Sequence, residues 1–232
     1  MHASVIIPVL NEVETLQETI RAARREYPTE SVEIIVVDGG STDGTCEVIP
    51  AEITVIHGKR GRAIQMNTGA NQAKGEIFVF CHADTLLPEG WLEAIRDLLC
   101  DPKVSGGVFQ CTTLPENSFL TKFFNRINAP TQWPLMTGET AQFMQKETFF
   151  KIDGFPEIPL MEDIEMARRL KNAGKLVRSK LRVVTSARRF KERGYLRQYA
   201  LNIYNLTRYL YFGATPEQIA ASYHSSREEM FE

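Results

Sequence analysis

Ser4-Val-Ile-Ile-Pro-Val9 and Glu33-Ile-Ile-Val-Val-Asp38 decide how this chain folds. The first is a short β-branched run without polar alternation, the pattern of a strand buried on both faces of a parallel sheet. Between the two runs, Asn11 and Glu12 open a helical stretch to about Tyr27, with an apolar face that includes Leu16, Ile20 and Ala23. Strand, helix and second strand make a β-α-β unit, which requires a right-handed crossover.

The alternation continues outward. A helix is expected from Thr42 to about Ile49, a strand near Ile53 to Ile56, a helix from about Arg62 to Ala73 and a strand from Glu76 to Cys81. This order predicts an α/β fold with a mostly parallel sheet covered by helices on both faces, whose ligands bind beyond the carboxyl ends of the strands. Asp38 and Asp84 both lie just past strand ends, so one crevice can hold both. After Asp84 the order loosens into a helix around Pro88 to Leu99, a strand near Gly106 to Cys111 and an amphipathic stretch, Ser118 to Ile127, leading to Pro130 and Pro134. The expected organisation is one domain over residues 1–190, with a nucleotide-binding half to about 112 and an acceptor half from about 113. A helical extension over 191–232 packs on the same domain.

Composition narrows the class. Hydrophobic residues at 43% and charged residues at 24% are ordinary globular values that argue against extensive disorder. With 27 basic and 29 acidic side chains the formal net charge is -2, so no global field draws the chain onto nucleic acid, and anion binding must be local. Cys46, Cys81, Cys100 and Cys111 show no CxxC spacing and read as free thiols rather than a zinc site or a disulfide framework. A strand begins almost at once, leaving no room for a signal peptide, and no apolar run is long enough to span a bilayer. A cytoplasmic location is expected. The aromatic and basic stretch Tyr195 to Tyr211 packs on the domain or docks peripherally on a membrane interface or a partner.

Two acidic sites about eighty residues apart carry the chemistry: His82-Ala83-Asp84-Thr85 and Met161-Glu162-Asp163-Ile164. They fit a metal-held diphosphate and a proton acceptor. In Val36-Val-Asp-Gly-Gly-Ser-Thr-Asp-Gly-Thr45 the glycines permit tight turning and Ser41 or Thr42 can cap a helix. Their spacing is not GxGxxG, which discounts a nicotinamide enzyme. Asp38 at the strand end is the candidate to accept from a base or ribose. Lys59, Arg60 and Arg62 read either as a solvated basic loop or as contacts to phosphate or base. His82 reads equally as a ligand or as a hydrogen-bonded strand-end histidine. Glu162 and Asp163 are also what a helix dipole favours in a first turn, and Trp133 by itself reads as core packing, with an acceptor-stacking role only through the resemblance that follows.

Ser4-Val-Ile-Ile-Pro-Val-Leu-Asn-Glu12, Val37-Asp-Gly-Gly-Ser-Thr-Asp-Gly44, Gly61-Arg-Ala-Ile-Gln-Met-Asn-Thr-Gly-Ala70 and His82-Ala-Asp-Thr85 resemble the ordered motifs of family 2 glycosyltransferases. These are inverting enzymes of the GT-A nucleotide-diphospho-sugar transferase fold. Within them the chain looks most like small bacterial transferases found beside radical-SAM and selenium-associated genes. The resemblance implies that Pro8, Asn11 and Glu12 line the nucleotide pocket, that Asp38 binds base or ribose, and that Gly61 and Arg62, helped by Lys59, approach the nucleotide. It matches Asp84 to the last acidic residue of a DxD motif, which holds a divalent ion, Mn²⁺ or Mg²⁺, on the diphosphate. His82 stands where the family usually has Asp and suits manganese better than magnesium.

By the same resemblance Leu160-Met-Glu-Asp163, downstream of Gly154-Phe-Pro156, is the acceptor-site motif, with Asp163 as general base and Glu162 assisting. Ser186-Ala-Arg-Arg-Phe190 partly resembles QxxRW, with Ser for Gln and Phe for Trp; Arg189 either helps a departing diphosphate or pairs with surface carboxylates. The expected function is transfer of a sugar from a nucleotide-diphosphate sugar to an acceptor hydroxyl. A non-catalytic nucleotide-sugar binding protein and a sugar nucleotidyltransferase are the rivals. The second would carry a glycine-rich basic N-terminal loop where Pro8-Val-Leu-Asn11 stands.

Overall fold

A computed structural model describes residues 2–25, 27–114, 140–186 and 194–228. Its elements are β1 (Ala3–Val9), α1 (Leu16–Arg24), β2 (Val32–Asp38), a single 3-10 turn (Thr45–Val48), β3 (Thr54–His57), α2 (Arg62–Gln72), β4 (Ile77–Phe80) and β5 (Thr85–Leu86). There follow α3 (Trp91–Leu99), β6 (Val104–Leu114), β7 (Gln142–Gln145), α4 (Lys146–Lys151), α5 (Glu162–Ala173), β8 (Lys175–Ser186), α6 (Tyr195–Tyr211) and α7 (Pro216–Glu228). The expected amphipathic stretch Ser118–Ile127, Trp133, Arg188 and Arg189 lie outside the described residues.

The strands form one sheet in the order β3-β2-β1-β4-β7-β6-β8-β5. β1, β2, β3 and β4 are parallel, β7 runs antiparallel between β4 and β6, and β6 pairs parallel with β8. Alternation along each strand sends side chains to opposite faces. Val5, Ile7, Ile34 and Val36 therefore pack on one side with Leu16 and Ile20 of α1 and Trp91, Leu92 and Ile95 of α3. Ile6, Ile35 and Val37 pack on the other with Met66 and Ala70 of α2, Phe149 of α4, and Met166 and Leu170 of α5. This is the α/β arrangement with helices on both faces. α2 lies close to the sheet because Gly69 has no side chain: a Cβ there would stand 2.6 Å from Ile6 Cγ2.

Register brings the functional ends together. Val9 pairs with Asp38, Asp38 with His57, and Phe80 of β4 with Gln142 of antiparallel β7. The carboxyl ends of the parallel strands and the amino end of β7 thus share one edge, continued by β5, where Thr85 pairs with Thr185 of β8. Two helical expectations shorten. α1 starts at Leu16 rather than near Asn11, and the helix expected over Thr42–Ile49 is only the 3-10 turn, because the polar residues of both segments bond across to each other instead of along a helix.

α6 is tied to α5 by the Tyr209 hydroxyl, which donates to Glu165, while Arg168 approaches the same carboxylate at 2.8 Å. Its outer side exposes Ile203, Tyr204 and Tyr211. No helix among the described residues is long and apolar enough to cross a membrane.

Candidate active site

The loops after β1 and β2 are sewn together. Asn11 N donates to Ser41 Oγ and Thr42 N to Asn11 Oδ1, both at 2.9 Å; Glu12 N donates to Thr45 Oγ1 at 2.8 Å and Val13 N to Asp43 Oδ2 at 3.1 Å. Asn11 takes a left-handed φ of 58°, a conformation its short polar side chain tolerates. The Thr15 hydroxyl donates to Glu12 at 3.2 Å. Asn11 and Glu12 therefore brace this loop pair, and Pro8 is buried in β1 opposite Val37.

Asp38 is 4% exposed and accepts from Gly40 N at 3.1 Å and Ser41 N at 3.0 Å, with His57 Nδ1 3.5 Å away. Burial pushes its carboxyl up, but the bonds from Ser41 and Gly40 and the contact with His57 outweigh that and hold it below the usual carboxylate range. Beneath this turn, buried Gln65 donates through Nε2 to the carbonyls of Val9 and Val37, each at 2.8 Å, clasping the ends of β1 and β2. Lys59 is exposed on the loop before α2, and Gly61, with φ 138°, starts that helix.

Farther along the edge, Asn67 of α2 grips the loop before α5: its Nδ2 donates to Phe155 O and its Oδ1 accepts from Phe155 N, both at 2.9 Å. Arg169 Nη1 donates to the carbonyls of Ile152, Asp153 and Gly154 at 3.0, 3.2 and 2.9 Å. So held, the chain enters α5 with Glu162 and Asp163 in its first turn. Arg62 Nε stands 2.8 Å from Oε1 of Glu162, whose side chain is 1% exposed. This is a charge contact without hydrogen-bond alignment, and both Glu162 oxygens are buried with no hydrogen-bond donor. Burial pushes the Glu162 carboxyl up to about 7; Arg62 opposes that rise and Asp163 adds to it. Asp163 is half-buried, and its Oδ1 accepts from Ile164 N at 2.8 Å.

Gln142, at the start of β7, donates through Nε2 to Asp163 O at 3.0 Å, while its Oε1 is buried with no donor. A pocket opens here, lined by Met66, Phe80, His82, Gln142, Phe155, Glu162 and Asp163. Edge-to-face packing of Phe80 on Phe155, centroids 4.8 Å apart, firms its wall. Three acceptor atoms of Gln142 and Glu162 are thus buried without a hydrogen-bond donor among the described residues, beside a cavity of about 10 Å³ that has room for about one water.

His82 and Asp84 lie on the turn after β4, which Thr85 N closes on His82 O at 3.1 Å. Ser186 N donates to Asp84 O at 3.1 Å, so the end of β8 pins this turn. Asp84 is half-buried, and its Oδ1 lies 3.4 Å from Thr85 Oγ1. One carboxylate and one imidazole make an incomplete set that phosphate oxygens and water would fill out. Such a donor set suits Mn²⁺. Among the described residues, no cluster of three His, Cys, Asp or Glu donors forms around Asp84.

The model of the family described as glycosyl transferase family 2 matches residues 4–156. The chain belongs to glycosyl transferase family 2. Among curated members, glycosyltransferase AglE of Haloferax volcanii is 37% identical over 99 residues, covering 39% of this chain and 33% of that protein. The poly-β-1,6-N-acetyl-D-glucosamine synthase of Staphylococcus epidermidis is 32% identical over 110 residues, covering 44% of this chain and 26% of that one. The chain thus matches a third or less of the length of these two relatives. A mannosyltransferase from Pyrobaculum calidifontis, solved with GDP-Man and Mn²⁺, superposes with a TM-score of 0.63 at 24% identity over 87% of this chain and 64% of that one. S. aureus TarS residues 1–349, solved with UDP-GlcNAc, superposes at 0.61 and 17% identity over 80% of this chain and 58% of that one. At these identities the superpositions establish a shared GT-A-like fold.

The edge of the sheet in this family 2 chain collects Asp38, His82, Asp84, Glu162, Asp163 and Arg62 from across the sequence. Reading the sequence alone misses Gln142, Gln65 and the Arg62–Glu162 contact. The one available signal for the first was a polar residue inside the apolar run Ala141–Met144.

Proposed function

We propose that this chain transfers a sugar from a nucleotide-diphosphate sugar to an acceptor hydroxyl, with inversion at the anomeric carbon. The observation that carries the reading is the convergence of Gln142, Glu162, Asp163 and His82 on one pocket, at the strand edge where Asp38 and Asp84 also end. Asp38 takes the base or ribose; Pro8, Asn11 and Glu12 wall or brace that half. Gly61, Arg62 and Lys59 flank the N-terminus of α2, where helix amides and positive side chains favour phosphate. Asp163 removes the acceptor proton, and the oxygen attacks the anomeric carbon opposite the diphosphate, so no covalent enzyme intermediate forms. Glu162, held by Arg62, orients the first turn of α5 and the acceptor, and Arg189 supports the leaving diphosphate.

Asp84, with His82, is the place for Mn²⁺ or Mg²⁺, which when bound neutralises charge on the diphosphate. The acceptor is a sugar, a lipid-linked molecule or a small molecule, met on the half from about residue 113 to 190. The extension 191–232 packs on the same domain in a cytoplasmic protein with peripheral membrane contact. The narrower likeness to the radical-SAM and selenium-associated transferases rests on sequence motifs alone.

The test is nucleoside diphosphate release from UDP-, GDP- and dTDP-sugars with Mn²⁺ or Mg²⁺, beside calorimetric binding of the same donors. Metal-dependent release that is lost in Asp84→Ala supports the reading. Binding without release, in the presence of an acceptor panel, favours a non-catalytic nucleotide-sugar binder, the reading that His82 in place of Asp keeps in play. Absence of binding sinks the donor assignment.

A further inference from the structure

Three side chains of different elements meet at the outer end of the same edge. Asp38 ends β2, Cys46 lies in the 3-10 turn and His57 ends β3; a carboxylate oxygen, the Sγ and an imidazole nitrogen all lie within 4.8 Å of one another. None of them lies on the His82–Asp84 turn. We propose that Asp38, Cys46 and His57 bind a thiophilic divalent cation of the Zn²⁺ type.

The donor set is one oxygen, one sulfur and one nitrogen. That combination suits borderline-soft Zn²⁺ or Co²⁺ and gives hard Mg²⁺ little. Three protein ligands around tetrahedral zinc stand about 3.3–3.6 Å apart, given bonds of about 2.0–2.3 Å. His57 Nδ1 is already 3.5 Å from Asp38 Oδ2, and the His57 side chain is 74% exposed and able to rotate the remainder. Asp38 is held from behind by the amides of Gly40 and Ser41, the outer-shell support that fixes a ligating carboxylate. The surroundings are anionic: Asp38, Asp43 and Glu47 all act electrostatically on Cys46, which disfavours a bare thiolate but favours a bound cation. The neutral imidazole and the thiolate donate electron pairs to the metal, and the thiol proton leaves to solvent.

A cation here occupies the carboxylate that the proposed function gives to the base. Competition between metal and nucleotide rests on that reading; the metal site does not. The decisive experiment uses metal alone. Co²⁺ titrated into the full chain is expected to give a thiolate-to-Co²⁺ charge-transfer band, absent from Cys46→Ser. His57→Ala, at a side chain 74% exposed, is expected to bind about 10-fold or more weakly, at least the loss that removing outer-shell support brings. Zn²⁺ at one fixed concentration should raise the Tm of the wild type more than that of His57→Ala. No band in the wild type, a band kept in Cys46→Ser, or equal affinity in His57→Ala overturns the proposal. Because no nucleotide is present, none of these outcomes bears on the transferase reading.

Discussion

Arg62 Nε, in the first turn of α2, lies 2.8 Å from Glu162 Oε1, in the first turn of α5. One charge contact thus joins the helix that follows the proposed nucleotide loop to the helix that carries the proposed base. Burial of Glu162 at this contact, which Arg62 only partly offsets, makes stability depend on pH. The folded Glu162 carboxyl is raised from 4.5 to about 7, chiefly by burial. The folded protein therefore keeps a proton that the unfolded chain releases, and stability falls as pH rises from about 4.5 through about 7. Urea midpoints measured across that range should show this slope in the wild type and a flatter one in Glu162→Gln. Equal slopes would contradict the burial argument.

The parts of this arrangement legible in sequence are those with a short period. β1 and β2 announce themselves as β-branched runs, and Leu16, Ile20 and Ala23 of α1 repeat at helical spacing. The Thr42–Ile49 helix failed because Asp43 and Thr45 are turned onto the amides of Val13 and Glu12, a pairing thirty residues distant that leaves only a 3-10 turn. β8 hid because its exposure is mixed along twelve residues, neither a clean alternation nor an apolar run. Among the proposed site residues, Asp38, Asp84 and Asp163 stand out as acids at element ends. Gln142 and Gln65 were invisible because their meaning lies in carbonyls supplied by other elements.

Gln65→Leu keeps the bulk and removes the donor shared by the Val9 and Val37 carbonyls. Val9 O keeps the amide of Gly39 at 3.0 Å, so losing the two Gln65 bonds should cost about 1 kcal/mol. Denaturant unfolding reads this directly, and an unchanged midpoint would show that those carbonyls find other donors.

Gly69→Ala sets helix propensity against packing. Alanine favours a helix by about 1 kcal/mol over glycine, but its Cβ would meet Ile6 Cγ2 at 2.6 Å and Val37 Cγ2 at 3.0 Å. Overpacking of this kind costs about 1–3 kcal/mol, so a lowered Tm is expected. A raised Tm would mean that α2 lifts from the sheet easily.

Asn67→Ala removes both bonds to the Phe155 backbone. The loop before α5 should then open more often, seen as faster amide exchange at Phe155 while β1 stays protected. Unchanged exchange would leave the carbonyl contacts of Arg169 as sufficient restraint.

The central claim is that Asp163 acts as the base in sugar transfer, and Asp163→Asn tests it most directly. With the donor found by the release assay, turnover in the variant should fall by about 100-fold or more, while calorimetric donor affinity stays within about threefold, a change of less than ~1 kcal/mol. Turnover equal to that of the wild type, with donor binding intact, would contradict the account.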